Sequence, residues 1–231
     1  MLPEDYEAWY ATGRGQWIGE LEFRLIRDLL GAREGERVLD VGCGTGWFTR
    51  RFSRSGELQV MGVDQDRNVL GLARRRDPSA AYLQADARHL PFGDGQFERV
   101  LSIAALCFLP DWELAFAEIL RVCRSRFAVG LLNRHSLLWL EKGRSRQGGY
   151  QGAHWHTHRE ILDFLAGQPV AGVRMRTAVL LPGGSRTARF VEPFLGRRCQ
   201  CSWGSFLAVS GEVSRTGNGR PVEPADPLDP P

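Results

Sequence analysis

Lysine is almost missing from this chain. Lys142 is the only one among 30 lysines and arginines, which face 27 aspartates and glutamates. Arginine suits carboxylates and phosphates through its planar fork. A net charge of +3 neither demands nor excludes a nucleic-acid partner, because phosphate affinity needs a concentrated basic patch. Cysteine is sparse as well: Cys43, Cys107, Cys123, Cys199 and Cys201 are odd in number and form no disulfide framework. That usage points to a reducing compartment, with most of the thiols behaving as small hydrophobes. No apolar run reaches the roughly 18 residues of a membrane span. The first residues, Met1-Leu2-Pro3-Glu4-Asp5, have no basic flank or apolar stretch, so no signal peptide and a cytoplasmic location are expected. A Walker-type G-K-[ST] is absent, which disfavours a nucleoside triphosphate, and there is no internal repeat.

What is present is an ordinary globular composition, 43% hydrophobic and 25% charged over 231 residues. The length allows a sizeable core without disulfide or metal staples. A helical stripe of Trp17, Ile18, Leu21, Leu25, Ile26 and Leu29 ends at Gly31. The period then shortens. Strands are expected at about 37–41, 58–63, 81–85, 99–104 and 127–132, with helices at 46–54, 66–76 and 112–124. Thr157 and Glu160 form a capping box opening a helix to about 166. Further strands are expected at about 170–181 and 204–213. Alternating strands and helices predict an α/β fold: a doubly wound, mostly parallel sheet with helices on both faces. The last 18 residues, 214–231, hold five prolines and are expected to be disordered.

The informative stretch is Val38-Leu39-Asp40-Val41-Gly42-Cys43-Gly44-Thr45-Gly46. A strand runs directly into Gly-x-Gly-x-Gly and then a helix. Glycines there let backbone approach a ligand at the carboxyl edge of a parallel sheet. Asp64 closes the second strand, 24 positions after Asp40, where a carboxylate can accept both hydroxyls of a ribose. The third glycine comes one residue too early for the dinucleotide fingerprint G-x-G-x-x-G. A nucleoside-containing cofactor other than a dinucleotide is therefore expected.

With these residues in view, the chain resembles the class I S-adenosylmethionine-dependent methyltransferases, in particular the type 11 or ubiquinone/menaquinone-type small-molecule branch. Three further blocks carry the resemblance: Gly62-Val63-Asp64-Gln65; Asp86 to Phe92 with Asp94 and Phe97; and Leu106 to Asp111 ahead of Glu118-Ile119-Leu120-Arg121-Val122. The resemblance implies a seven-stranded Rossmann-like sheet with an antiparallel strand near the C-terminus. It implies a single domain over 1–213: an N-terminal lid at 1–36, a cofactor core at 37–132, and a substrate-side insertion with C-terminal strands at 133–213. The implied cofactor is S-adenosyl-L-methionine. Gly42, Cys43, Gly44 and Gly46 would form its loop, and Asp40 would orient the methionine ammonium. Asp64 would take the ribose hydroxyls, with Gln65 beside the adenine. Asp86 and Ala87 would bind the adenine edge, and Ile103 would touch the cofactor near its sulfonium. Two positions depart from the family pattern. Glu98 replaces an aspartate, and Arg124-Ser125-Arg126 replaces the usual Pro-Gly-Gly turn, which puts that turn's geometry in question.

Methyl transfer needs alignment more than a protein nucleophile. Acceptor contacts are expected from Tyr6, Trp9, Tyr10, Arg14 and Trp17 as a lid, and from Asn133, Arg134 and His135 past the fifth strand. His154 or His156 is a candidate general base. Three histidines alternate at 154, 156 and 158, but no carboxylate or cysteine stands at ligand spacing beside them, so no metal is expected. The expected partner is a small-molecule acceptor. Two other readings fit the same blocks. One is a methyltransferase of RNA or protein, with Arg74-Arg75-Arg76 as a candidate patch. The other is a non-catalytic cofactor-binding module using Trp139, Trp155 and Trp203 as partner anchors.

Overall fold

The computed structural model describes residues 3–54, 56–143, 149–185, 189–190, 192 and 202–214. Two helices lead: α1 (Pro3–Ala11) and α2 (Gly13–Leu30). Thr12 separates them as N-cap, its hydroxyl accepting from the Gly15 N–H at 3.0 Å. The sequence pattern anticipated α2 but no helix where α1 stands. Gly31 ends α2 in the left-handed region at φ 54°, donating its N–H to the Arg27 carbonyl.

The alternating part follows as β1 (Arg37–Val41), α3 (Trp47–Ser53), β2 (Gln59–Asp64), α4 (Arg67–Arg76), β3 (Ala81–Gln84), β4 (Phe97–Ile103), α5 (Trp112–Val122) and β5 (Cys123–Leu132). After it come α6 (His158–Ala166), β6 (Val170–Ala178) and β7 (Phe206–Val213). The sheet has the order β3-β2-β1-β4-β5-β7-β6, with β7 antiparallel to both its neighbours. The expected α/β architecture is therefore the observed one.

Strand side chains alternate between two packed layers, as a period of two requires. Leu39, Val100, Phe127, Val129 and Leu207 face α5 and α6 through Phe116, Ile119 and Ile161. Val38, Leu101, Ala128 and Ala208 face α2 and α3 through Ile26, Leu30, Phe48 and Phe52. The turn in doubt at Arg124-Ser125-Arg126 does not exist as a turn. Helix α5 ends at Val122 and its C-cap, Cys123, is already the first residue of β5. The β4–β5 register shifts between Phe97 and Arg99, which absorbs the change. Glu98 holds Arg37 through a two-point pair at 2.8 and 3.0 Å at the amino ends of the strands, opposite the edge where the glycine loop lies.

Among the described residues no helix is long and apolar enough to cross a membrane. The proline-rich tail beyond Ser214, and Cys199 and Cys201, lie outside the described residues. Trp155 is buried, so only Trp203 of the three proposed anchors is strongly exposed. Two of the three clustered arginines are engaged: Arg74 donates to the Tyr82 carbonyl at 2.8 Å and Arg76 pairs with Glu7 at 3.3 Å.

Candidate active site

Strand order reverses between β2-β1 and β4-β5, and open α/β sheets bind ligands at that switch point. A cavity of about 1100 Å³ opens there. Its floor is the loop after β1, Gly42 to Thr45, with Asp64 and Gln65 from the end of β2 and Ile103 to Ala105 from the end of β4. Ala85 and Ala87 close one side. Tyr6, Trp9, Tyr10 and Arg14 of the N-terminal helices form another wall, and Phe108, Leu138 and Tyr150 a third.

The loop is shaped by its glycines. A Cβ on Gly42 would stand 2.2 Å from the Cβ of Ala105, and its φ is 73°. Gly44, at φ 54°, has nothing within 4 Å of such a carbon, so it presents bare backbone to the cavity. Gly46 does not line the cavity. It caps α3 at φ 74° and gives room to the Tyr82 hydroxyl, 2.6 Å from where its Cβ would be. Ala104 carries positive φ, 57°, without being glycine, a strained backbone at the mouth of β4.

Two acids sit at adjacent strand ends. Asp64 accepts from the Gly44 N–H at 2.8 Å through Oδ2 and from the Asp66 N–H at 3.0 Å through Oδ1. The N-cap of α4 is Asp66, which leaves Asp64 at the cavity. Burial raises the Asp64 carboxyl above its ordinary value. Asp40 is buried and accepts from the Thr49 hydroxyl at 2.6 Å. Burial, with the nearby Asp64 charge adding, pushes Asp40 up to about 7. The wall of α1 is pinned to this floor. Arg50 forms a buried pair with Glu7 at 3.0 and 3.1 Å, donates to the Thr45 carbonyl at 2.6 Å, and Thr45 Oγ1 donates to Glu7.

The structure thus gathers Asp40, Gly42, Cys43, Gly44, Asp64, Gln65, Ala87, Ile103, Tyr6, Trp9, Tyr10 and Arg14 around one hollow. It puts other expected residues elsewhere. Asp86 is not in the cavity wall; its carboxylate is clamped by the Arg88 guanidinium at 2.8 to 3.2 Å, which holds it down to about 2. Trp17 lies beside Arg189, 5.9 Å from ring centre to guanidinium. Asn133 is fully buried and structural, donating to the Ser202 and Gly204 carbonyls at 2.7 and 2.8 Å and accepting from the His135 N–H. His135 is exposed and away from the cavity wall. His154 and His156 are likewise outside that wall, packed against Trp112 of α5, which removes them as bases at this hollow.

One residue that the sequence reading passed over belongs to the site. Glu22 of α2 lines the cavity, and among the described residues its carboxylate has no hydrogen-bond or ion-pair partner. Burial pushes it up to about 8. Its charge is close enough to raise Tyr6, Tyr10 and Tyr150 further. The signal was available: Glu22 stands four residues after Ile18 and four before Ile26, inside the apolar stripe.

The fold and floor define an α/β protein with an acid-edged glycine loop in a hollow at the switch point of its sheet. Residues 39–126 match the family described as Methyltransferase domain. Malonyl-[acyl-carrier protein] O-methyltransferase of Erwinia pyrifoliae is 37% identical over 123 residues, 49% of this chain and 47% of that protein. Demethylmenaquinone methyltransferase of Renibacterium salmoninarum is 37% identical over 101 residues, 44% of this chain and 42% of that one. The chain spans about half the length of the curated relatives it matches. A solved Thermotoga maritima structure, named as an S-adenosylmethionine-dependent methyltransferase and possible histamine N-methyltransferase, superposes with TM-score 0.69 at 20% identity, covering 90% of this chain and 94% of the other. The resemblance to class I S-adenosylmethionine-dependent methyltransferases therefore holds in motif, in domain match and in fold.

Proposed function

We propose that the protein transfers a methyl group from S-adenosyl-L-methionine to a small-molecule acceptor. The carrying observation is the shared hollow. Its volume exceeds the roughly 300–1,000 Å³ of most single-ligand pockets, which leaves room for a cofactor and a second small molecule. The residues fit the cofactor on one count above all: Gly44 offers a cradle that any side chain would fill, directly beside the Asp64 carboxylate. When bound, S-adenosylmethionine supplies a methyl carbon activated by a positive sulfur.

The chain's part is binding and alignment. Asp64 would accept the ribose hydroxyls, Gln65 and Ala87 would flank the base, and Asp40 would face the methionine end. Ile103 would lie close to the transferring carbon. The aromatic residues of α1 would exclude water from it, and Glu22, a lining carboxylate without a partner among the described residues, would meet the acceptor or take its proton. Holding acceptor and methyl in line is worth about 7–11 kcal/mol of barrier.

Calorimetry with S-adenosylhomocysteine tests the cofactor half, and transfer of labelled methyl into cell-extract small molecules tests the rest. Micromolar binding with label in a low-mass product supports the reading. Absence of nucleoside binding removes it, and label confined to RNA or protein would replace the acceptor class.

A further inference from the structure

The three alternating histidines were not absorbed by the methyl-transfer site, and the fold adds to them a group that lies six residues downstream of the first. Glu160, at the third position of α6, folds back over Thr157 in a complete capping box: the Glu160 N–H donates to the Thr157 hydroxyl at 3.1 Å and the Thr157 N–H to Glu160 Oε2 at 3.2 Å. That reversal returns its carboxylate to the extended segment just upstream. There His154 and His156, two residues apart, project to the same side. Their rings stand 4.5 Å apart, centre to centre. His154 Nε2 lies 2.6 Å from Glu160 Oε1, and His156 Nδ1 lies 3.9 Å from Oε2. One donor atom from each of the three residues falls within a 4.8 Å span.

The second observation is His156 itself. Its side chain is fully buried, and neither ring nitrogen has a hydrogen-bond partner among the described residues. Buried polar groups are ordinarily satisfied. Here Nδ1 looks toward a carboxylate too distant to bond and close enough to share an ion.

From this arrangement we propose that His154, His156 and Glu160 form a binding site for a zinc-like divalent cation. Two imidazoles and one carboxylate are a recognised three-ligand set for zinc, with water completing the tetrahedron. Tetrahedral donors about 2.1 Å from such an ion stand about 3.4 Å apart, so modest side-chain shifts close the set. On binding, His154 would coordinate through Nε2 as its Nδ1–H tautomer, so the cation takes the place of the hydrogen bond between Nε2 and Glu160 Oε1. Glu160 keeps Oε2 for the Thr157 N–H, so the helix cap survives. None of the three ligands lines the methyl-transfer cavity, so the ion is structural. It pins a segment that hangs on the connection after β4 and on the end of β5, since the His154 N–H donates to the Cys107 carbonyl at 2.7 Å and the His156 N–H to that of Leu132 at 2.8 Å. Leu132 and the neighbouring Phe108 both line the cavity, as does Tyr150 a few residues upstream. The cation thus stiffens the acceptor-side wall.

The test is zinc titration of the full, untagged chain against a chelator competitor, with cobalt as a spectroscopic substitute. The expected result is one equivalent bound at micromolar affinity or tighter, with a thermal midpoint raised by zinc. His154→Ala and Glu160→Gln should each weaken binding at least tenfold and abolish the thermal shift. His154 is half-exposed and Gln keeps the cap acceptor, so both variants fold. Cobalt should give the absorption of a tetrahedral nitrogen–oxygen site. Failure of the wild type to bind zinc below millimolar, or equal binding by wild type and both variants, overturns the site.

Discussion

The backbone N–H of Gly44 donates to Oδ2 of Asp64 across 2.8 Å, so the acid at the tip of β2 braces the glycine loop that follows β1. One carboxylate thereby shapes the loop and faces the cavity that the loop lines. Asp64→Ala should weaken S-adenosylhomocysteine binding at least tenfold, because hydrogen bonds to charged groups contribute about 1.5–3 kcal/mol. Asp86→Asn should change it by less than threefold, since that carboxylate is already held by Arg88. Isothermal titration of both variants separates the two acids; equal losses would put Asp86 back at the adenine.

Gly42 and Gly44 should respond differently to alanine. At Gly42 the new methyl meets the Ala105 side chain at 2.2 Å and the φ of 73° is strained as well, so a loss of about 2–4 kcal/mol is expected. At Gly44 only the backbone strain operates, about 1–2 kcal/mol, but the methyl enters the ligand's space. Urea unfolding should therefore rank Gly42→Ala as the less stable. Ligand titration should show Gly44→Ala losing affinity out of proportion to its stability.

Glu22 should impose a pH dependence. Its carboxyl is raised to about 8, so the charged form appears only as pH climbs through 8. If it takes the acceptor's proton, methyl transfer rises along that limb and Glu22→Gln removes the limb while leaving S-adenosylhomocysteine affinity intact. The stability sign follows from the same shift. The folded state holds a proton that the unfolded state releases near pH 4.5, so this group's contribution is full below that point and is lost as pH rises toward 8. The slope of unfolding free energy against pH between 5 and 8 should be shallower in Glu22→Gln. An unchanged slope would show that Glu22 is solvated.

Anchoring of α1 rests on the buried Glu7–Arg50 pair, at 3.0 and 3.1 Å. Removing one partner strands the other, at a cost of about 3–5 kcal/mol. Glu7→Ala should therefore release α1 before the sheet unfolds. Protease cleavage near Thr12 should accelerate and ligand affinity should drop, while Arg24→Ala, on an exposed pair with Glu20, should change neither.

Much of this was legible in the linear chain because it is local. Periods of two and near four placed the strands and α2, and glycine placed both the end of α2 and the loop after β1. The motif at 38–46 and the acid at 64 meet because each ends a strand, and neighbouring parallel strands finish at the same edge. The capping box at Thr157 was equally local. Helix α1 was missed because its amphipathic signal is weak and a cap interrupts it at Thr12.

What only the tertiary structure decided is which partner each polar side chain took and which of them reached the hollow. Asp86 was drawn to Arg88 and away from the hollow, Asn133 was consumed by carbonyls of residues 202 and 204, and the histidines went behind β5 to meet Glu160. Glu22, an anomaly in an apolar stripe, became a lone carboxylate among aromatic rings. Backbone preferences and spacing are fixed by neighbours in sequence, so residue order alone determines where the glycine loop and the acid of β2 meet. Which polar groups remain unpaired at that place depends on long-range packing, and packing is settled only when the whole sheet closes.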